Sequence, residues 1–269
     1  MLYLVGTPIG NMQDVTLRSL DVLKKVHVIA CEDTRRSAPF LNFYDIHTPL
    51  ISYHKFNEKE QSANILEMLR AGKDVALITD AGMPCISDPG AVVVKEARKN
   101  GLEIQVVPGP SAVVSAVSLV GLDTGYVFIG FLPDKKGEAK QKLAPFVYSP
   151  LPLVFYCGCH DLDKVPELLY EVLGERDMAV VKELTKMHET VTETTLSQGY
   201  DGDTRGEFVL VVSGYVEKED WSKLTVEDHI KSYLNLGVSK KEAVKKVAAE
   251  RNVKKDEIYK IAINIKEKQ

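Results

Sequence analysis

Three punctuated loops, each directly after a short apolar run, constrain this chain more than any other feature. They read VGTPIGN at 5–11, TDAGMPCISDPG at 79–90 and VVPGPSA at 106–112. Gly lets main chain approach a ligand closely, and a helix start offers free N–H groups. The runs LYLV, DVALIT and EIQVV that lead into the loops are of strand length, and helical stretches follow them. Strands of about 4–8 residues alternating with helices describe βα units around a mostly parallel sheet. In such a sheet the loops after the strand C-termini share one edge, where ligands bind. Any one Gly/Pro cluster reads as a turn; three in one α/β domain point to a binding rim.

The rest of the chain divides by texture. Helices are expected near 14–25, 34–43 and 58–71, and GAVVVKEARKNG should stop at Gly101. From about 112 to 135 the rhythm breaks, and further strands are expected at LPLVFYC, MAVVKEL, TVTETTL and GEFVLVVSGY, with helices near 138–146 and 161–173. The partial alternation of TVTETTL suits an antiparallel strand wet on one face. After Trp221 three short amphipathic helices are expected, with Thr225 and Ser239 as N-caps, a capping-box spacing from Ser239 to Glu242, and Gly237 at a C-cap. The expected organisation is an N-terminal α/β domain at 1–113, a second, mixed α/β domain at 114–220, and a basic, helix-turn-helix-like module at 221–269.

Charge and cysteine usage narrow the function. The net charge is −4, yet Trp221 to Gln269 holds twelve Lys and Arg against seven Asp and Glu, about +5, leaving about −9 on the body. A basic module on an acidic body suits a polyanion, although a Lys-rich surface is also often only solvated. No apolar run approaches the ~20 residues of a membrane span. The N-terminus has no basic n-region and reads as a strand rather than a signal peptide. Cys31, Cys85, Cys157 and Cys159 are sparse, and the single residue between the last two is not a zinc or redox spacing. Reduced thiols and a cytoplasmic location are expected. The first loop lacks G-x-G-x-x-G and no G-K-[ST] occurs, so dinucleotide and Walker-type phosphate binding lose support.

LYLVGTPIGN, ACEDTRR, ITDAGMPCISDPG, VVPGPSAV, KELTK and GEFVLVV occur here in the order found in the tetrapyrrole methylase superfamily, which the chain resembles nearly end to end. The resemblance is strongest to the subgroup that acts on ribosomal RNA. It implies S-adenosylmethionine bound between two α/β domains, S-adenosylhomocysteine as product, and no metal. It also implies a homodimer that methylates the ribose 2′-oxygen of a cytidine in the decoding centre of 16S ribosomal RNA, in the small ribosomal subunit. Carried over by position, Pro8 belongs to the first cofactor loop; Asp80, read from its charge, could favour the cationic sulfonium. Ala81, Gly82 and Met83 stand where the superfamily has Gly-Gly-Asp, with Ile86 just beyond. Ser111 and Ala112 form the small-residue pair after PG, while Cys157 in FYCG and Leu184 in KELT come from the second domain. One departure is CGCHDL at 157–162: His160 falls on a family His, but Leu162 stands near the family's Arg.

Methyl transfer from a sulfonium needs alignment and the exclusion of water, and a ribose hydroxyl needs a base or an electrostatic helper. CEDTRR at 31–36 and SYHKFNE at 52–58 offer Glu32, Asp33, His54 and Lys55 for that role. Arg35, Arg36, Lys240, Lys241, Lys245 and Lys246 are candidates for RNA phosphates, with Lys254 and Lys255 beyond them. Structural alternatives stand beside these: Asp33 as an N-cap, a Glu32–Arg35 pair at the helix start, Asp80 as a turn cap, and Asp88 capping the helix that follows it. Two other functions compete: a methylase for a small tetrapyrrole precursor, and a nonenzymatic nucleic-acid-binding regulator.

Overall fold

The structure is a computed structural model and describes residues 1–217, 224–235 and 237–265. The chain separates into two compact units, Met1–Tyr215 and Val216–Gln269. The boundary expected after residue 220 lies outside the described residues.

The first half of the larger unit alternates strand and helix. In order these are β1 (Leu2–Val5), α1 (Leu17–Lys25), β2 (Val28–Cys31), α2 (Thr34–Phe43), β3 (Leu50–Ser52), α3 (Glu58–Arg70), β4 (Val75–Leu77), α4 (Ala91–Lys99), β5 (Ile104–Val107) and α5 (Ala112–Val120). The strands form one sheet in the order β3-β2-β4-β1-β5, and every pairing is parallel. All five strands therefore end at the same edge. Strands buried on both faces need continuous apolar sequence, which VIAC in β2 and VAL in β4 provide. Apolar residues four apart put one stripe of α3 and one of α4 against the sheet. Ile65, Leu69, Val93 and Ala97 cover one face in this way, and Leu23, Phe40 and Leu41 cover the other.

The second half holds β6 (Val127–Gly130), α6 (Lys136–Leu143), β7 (Leu153–Gly158), α7 (Lys164–Leu173), β8 (Asp177–Lys182), β9 (Thr190–Thr195) and β10 (Glu207–Val212). Its sheet order is β6-β7-β10-β8-β9, with β6 parallel to β7 and the remaining pairs antiparallel. The mixed second sheet matches the expectation. So do its strands, and β9 carries the wet face. Helix α5 follows the first sheet but packs on the second: Val113, Ala116 and Val117 bury against Val154, Val181, Val209 and Val211. Full burial of each such valine contributes about 1.5–3 kcal/mol. This helix joins the two sheets and holds Ser111 and Ala112 at the junction.

The smaller unit contains α8 (Val226–Asn235), α9 (Lys240–Glu250) and α10 (Lys255–Ala262) around Ile230, Val244, Val247 and Ile258. Thr225 Oγ1 accepts from Asp228 N at 3.1 Å, and Ser239 Oγ accepts from Glu242 N at 3.4 Å, so both expected caps are present. His229 is fully buried, accepting from Arg251 Nε at Nδ1, 3.1 Å away, while Nε2 faces Glu250. Thr225→Ala and Ser239→Ala are each expected to destabilise this unit by about 1 kcal/mol, read from urea titration of the helical signal. Among the described residues no helix is long and apolar enough to cross a membrane.

Candidate active site

The C-terminal edge of the first sheet is where main chain crowds most. Thr7 N donates to Gly82 O at 2.9 Å and Gly82 N to Thr7 O at 3.2 Å, a short bridge between the first and second loops. Thr7 Oγ1 also donates to Thr79 O at 3.1 Å. A Cβ on Gly6 would lie 2.6 Å from Gly109 Cα and 2.8 Å from Met83 Sδ, so all three loops meet at Gly6. A Cβ on Gly10 would lie 2.7 Å from Thr185 Oγ1 and 2.8 Å from Leu184 O, which brings the β8–β9 loop onto the first loop. The three loops that stood out in the sequence do share one rim, and a fourth joins them from the other sheet.

These loops are held in unusual conformations. Cys85 and Ser87 have φ of 70° and 64°, and Glu183 and Thr185 have 53° and 66°. Left-handed backbone in non-Gly residues costs about 1–3 kcal/mol each and gathers at functional sites. The surroundings enforce it. Glu58 Oε1 accepts from Gly90 N at 2.9 Å, and Lys186 Nζ reaches both Glu183 Oε1 and Glu207 Oε2 at 2.8 Å.

Between the sheets lies a cavity of about 500 Å³. Asp80, Ala81, Gly82, Met83, Ile86, Ser111 and Ala112 line it from the first sheet, and Cys157 and Leu184 from the second. Pro8 lies instead in an adjoining cavity of about 130 Å³, with Thr7 and Gly10; Arg36 and Asp80 border both. Ile9, Asp88, Phe131, Tyr156, Glu207 and Phe208 also line the main cavity and were not singled out from the sequence as cofactor contacts. Phe131 and Phe208 lie inside the recognisable stretches GFLP and GEFVLVV, but nothing local reveals which strand residues face across to the other sheet.

The cavity is acidic. Glu32, Asp80 and Asp88 all line it, with Arg36 as a cation among them. Burial pushes the Glu32 carboxyl above its ordinary value, and the charges of Asp80 and Asp88 raise it further; Arg36 and His54 oppose the shift. Asp88 is likewise pushed up, first by burial, with Asp80 adding to it and Thr79 resisting. Asp80 Oδ2 accepts from Arg36 Nη1 at 3.2 Å, while its Oδ1 is buried with no hydrogen-bond partner. Burial also pushes the Cys157 thiol up to about 12, so it stays protonated.

The remaining candidates sit around this rim. Asp33 caps α2 by accepting from Arg35 N at 2.9 Å, and Arg35 turns its guanidinium back onto the same carboxylate. That pairing holds the exposed Asp33 carboxyl down at about 2. Arg35 thus pairs with Asp33 rather than with Glu32, the pair weighed as a structural alternative, and Asp33, His54 and Lys55 are absent from the cavity lining. Asp88 does not cap α4 either. The N-cap is Gly90, at φ 132°, without a side-chain cap. His54 has Nδ1 buried and without a hydrogen-bond partner, and Lys55, the next residue, is exposed. In the smaller unit Lys241 and Lys245 are exposed, Lys240 Nζ donates to Ile265 O at 2.7 Å, and Lys246 Nζ lies 5.2 Å from the centre of the Tyr233 ring. Among the described residues no three His, Cys, Asp or Glu side chains gather as a metal-ligand set.

Comparison with known proteins agrees with this architecture. A family model for Tetrapyrrole (Corrin/Porphyrin) Methylases matches residues 1–199. The chain is 40% identical over 270 aligned residues to ribosomal RNA small subunit methyltransferase I of Bacillus subtilis, covering 96% of this chain and 92% of that protein. The chain belongs to that methyltransferase family. A member from Synechocystis is 33% identical across 98% of both chains. Solved structures extend the family fold more widely. Diphthine synthase superimposes with a TM-score of 0.60 at 13% identity, covering 79% of this chain and 89% of that one. Uroporphyrin-III C-methyl transferase from Thermus thermophilus, complexed with S-adenyl homocysteine, gives 0.56 at 21% identity, covering 78% of this chain and 96% of that one. Both likenesses are likenesses of fold, and the chain is a methyltransferase by its family.

Proposed function

We propose that the protein transfers a methyl group from S-adenosylmethionine to the ribose 2′-oxygen of a cytidine in the decoding centre of 16S ribosomal RNA. The observation that carries the methyl-donor part is the acidic cavity where the three glycine-bearing loops meet a fourth loop from the second sheet. The RNA part rests on the 40%-identical relative, whose name specifies small-subunit ribosomal RNA. The same reading makes the protein a cytoplasmic homodimer that acts on the small ribosomal subunit. The fold likeness to a uroporphyrin methylase would suit a small-molecule substrate equally, but at 21% identity it speaks only for the fold.

The residues fit a cationic nucleoside donor. A cavity of about 500 Å³ is within the usual range for such ligands. Gly6, Gly10 and Gly109 leave no room for a Cβ, so the loops that carry the cavity wall pack closely on one another. The bare Oδ1 of Asp80 is a buried acceptor awaiting a positive or donor group. Asp80 to Met83, Ile86, Ser111, Ala112, Cys157 and Leu184 would hold the donor, with Pro8 behind the Arg36–Asp80 pair. When bound, S-adenosylmethionine supplies a methyl group on a positively charged sulfur, and its transfer to oxygen leaves S-adenosylhomocysteine. Glu32 takes the 2′-hydroxyl proton, its basicity raised by burial and by its acidic neighbours. The loops exclude water, and Arg35 and Arg36 hold the flanking phosphates. Lys241 and Lys245 of the smaller unit add sequence-independent affinity that falls with salt.

Asp80→Asn is expected to weaken S-adenosylmethionine binding about tenfold, a loss of about 1.4 kcal/mol. S-adenosylhomocysteine, which lacks the sulfonium charge, should lose much less. Calorimetry with both ligands measures the difference. The function itself is tested by mass spectrometry of ribosomal RNA from cells lacking the protein. Loss of one ribose methylation on a 16S cytidine, restored by the gene, is the expected result; an unchanged set of ribose methylations contradicts it.

A further inference from the structure

We propose that Phe56 is a stacking platform for an RNA base beside the target nucleotide, a role that rests on the RNA reading above. Phe56 is 94% exposed, so its ring adds almost nothing to the core. What sets it apart from other exposed apolar side chains is its fixed support.

The support is fixed. Asn57 closes the turn at 54–57 from three sides: its Oδ1 accepts from His54 N at 2.8 Å, its Nδ2 donates to Ser52 O at 3.1 Å, and its own N donates to His54 O at 3.0 Å. Below it Tyr53 is buried, its hydroxyl set between Ser62 Oγ at 3.2 Å and Glu58 Oε1 at 3.3 Å. Glu58 in turn accepts from Gly90 N of the second loop. The ring is thus presented on a turn tied into the loop that borders the cavity.

The position is the right one. β3 lies beside β2 with Ser52 opposite Cys31, and Tyr53 N donates to Cys31 O at 2.8 Å. The residues that follow the two strands, Glu32 on one and Tyr53 on the other, therefore leave the sheet side by side, and the turn at 54–57 comes directly after. The Phe56 ring meets the edge of the His54 ring, with centroids 6.0 Å apart and planes at 65°. Glu32 lines the cavity, and Phe56 stands in solvent with its ring against that of His54. Lys55 and Lys59, one and three residues from Phe56 in the chain, and Arg35 and Arg36 on α2 are exposed cations suited to the phosphates of a single strand.

The chemistry supplies the reason for a ring here. A 2′-hydroxyl reaches a donor inside the cavity only when its nucleotide is drawn out of the stack. Drawing it out bares the face of the neighbouring base. An aromatic side chain replaces the lost stacking and tolerates any base, while cations track the backbone.

The test uses the full-length protein and small subunits purified from cells that lack it, following tritiated methyl transfer from S-adenosylmethionine. Phe56→Ala is expected to lower kcat/KM for the subunit about 5- to 150-fold, mainly through KM. Donor affinity by calorimetry and the unfolding temperature should stay unchanged. Phe56→Trp and Phe56→Tyr should restore activity, and Phe56→Leu, apolar but without a flat π face, should fall with alanine. Wild-type activity from the Ala or Leu variant, or equal loss in the Trp variant, overturns the role. Absence of methyl transfer by the wild-type protein overturns the RNA reading itself, and this role with it; a wild-type measurement made first separates the two failures.

Discussion

Gly6→Ala is expected to abolish most methyl transfer while leaving the polypeptide folded. The added Cβ would sit 2.6 Å from Gly109 Cα, 2.7 Å from Gly109 N and 2.8 Å from Met83 Sδ. Two of these atoms are main chain and cannot rotate away. Neither can the neighbouring backbone shift freely, because Gly6 N donates to Val107 O at 3.0 Å and Leu4 pairs with Val106 in register. Overpacking of this kind costs about 1–3 kcal/mol, and the loops must part to relieve it. Displacing a binding rim by about 1 Å costs on the order of 100-fold in turnover efficiency. Gly121→Ala is the matched control. Gly121 has φ 74° and nothing within reach of a new Cβ, so only conformational strain is added, at the end of α5 away from the rim. Denaturant titration should show both variants destabilised, whereas calorimetry with S-adenosylmethionine should show lost affinity in the Gly6 variant alone.

The second large effect concerns the base. Glu32→Gln is expected to lower kcat about 10²- to 10⁴-fold while leaving donor affinity near the wild-type value. Equal loss of both would reassign Glu32 to donor binding. The pH dependence gives an independent reading. Burial, then Asp80 and Asp88, raise the Glu32 carboxyl above the ordinary Glu range. A base must be ionised, so wild-type activity should fall as the pH drops through that raised value. The residual activity of the Gln variant should lack this acid limb. Stability moves in the opposite sense. A raised folded-state pKa means that the fold favours the protonated form. The stability Glu32 adds is complete below its ordinary value and is lost as the pH rises through the raised one. Relative to wild type, the Gln variant should therefore gain stability as the pH rises through that window, by thermal unfolding at a series of pH values.

Much of this arrangement was legible in the sequence because Gly and Pro mark it so heavily. The three loops announce themselves by punctuation after apolar runs, and a parallel sheet obliges them to meet at one edge. Asp33 could be read from the sequence either as a base or as a cap, and the structure shows it capping α2. Other features were hidden for physical reasons. β3 is only Leu50–Ser52, too short to show a period, yet its place beside β2 ties Tyr53 to Cys31 and starts the 54–57 turn at the same edge as Glu32. Asp88 looked like a cap, but Gly90 takes that position and frees Asp88 for the cavity. Left-handed Cys85 and Ser87 leave no trace in residue type, because neither is a residue that favours that conformation. Phe131, just past β6, and Tyr156 of β7 pack together in the wall with centroids 5.3 Å apart, brought together by the pairing of β6 with β7. The wall they form stands opposite the first sheet's loops because α5 crosses to the second sheet, which local sequence does not disclose.

The most direct test is a crystal structure of the protein soaked with S-adenosylmethionine. The donor should lie between the two sheets, with main chain of Asp80–Met83 and Ser111–Ala112 on one side, Cys157 and Leu184 on the other, and its positive sulfur on the acidic wall of Glu32, Asp80 and Asp88. Density for the donor at any other place, with this cavity left holding only solvent, would contradict the assignment.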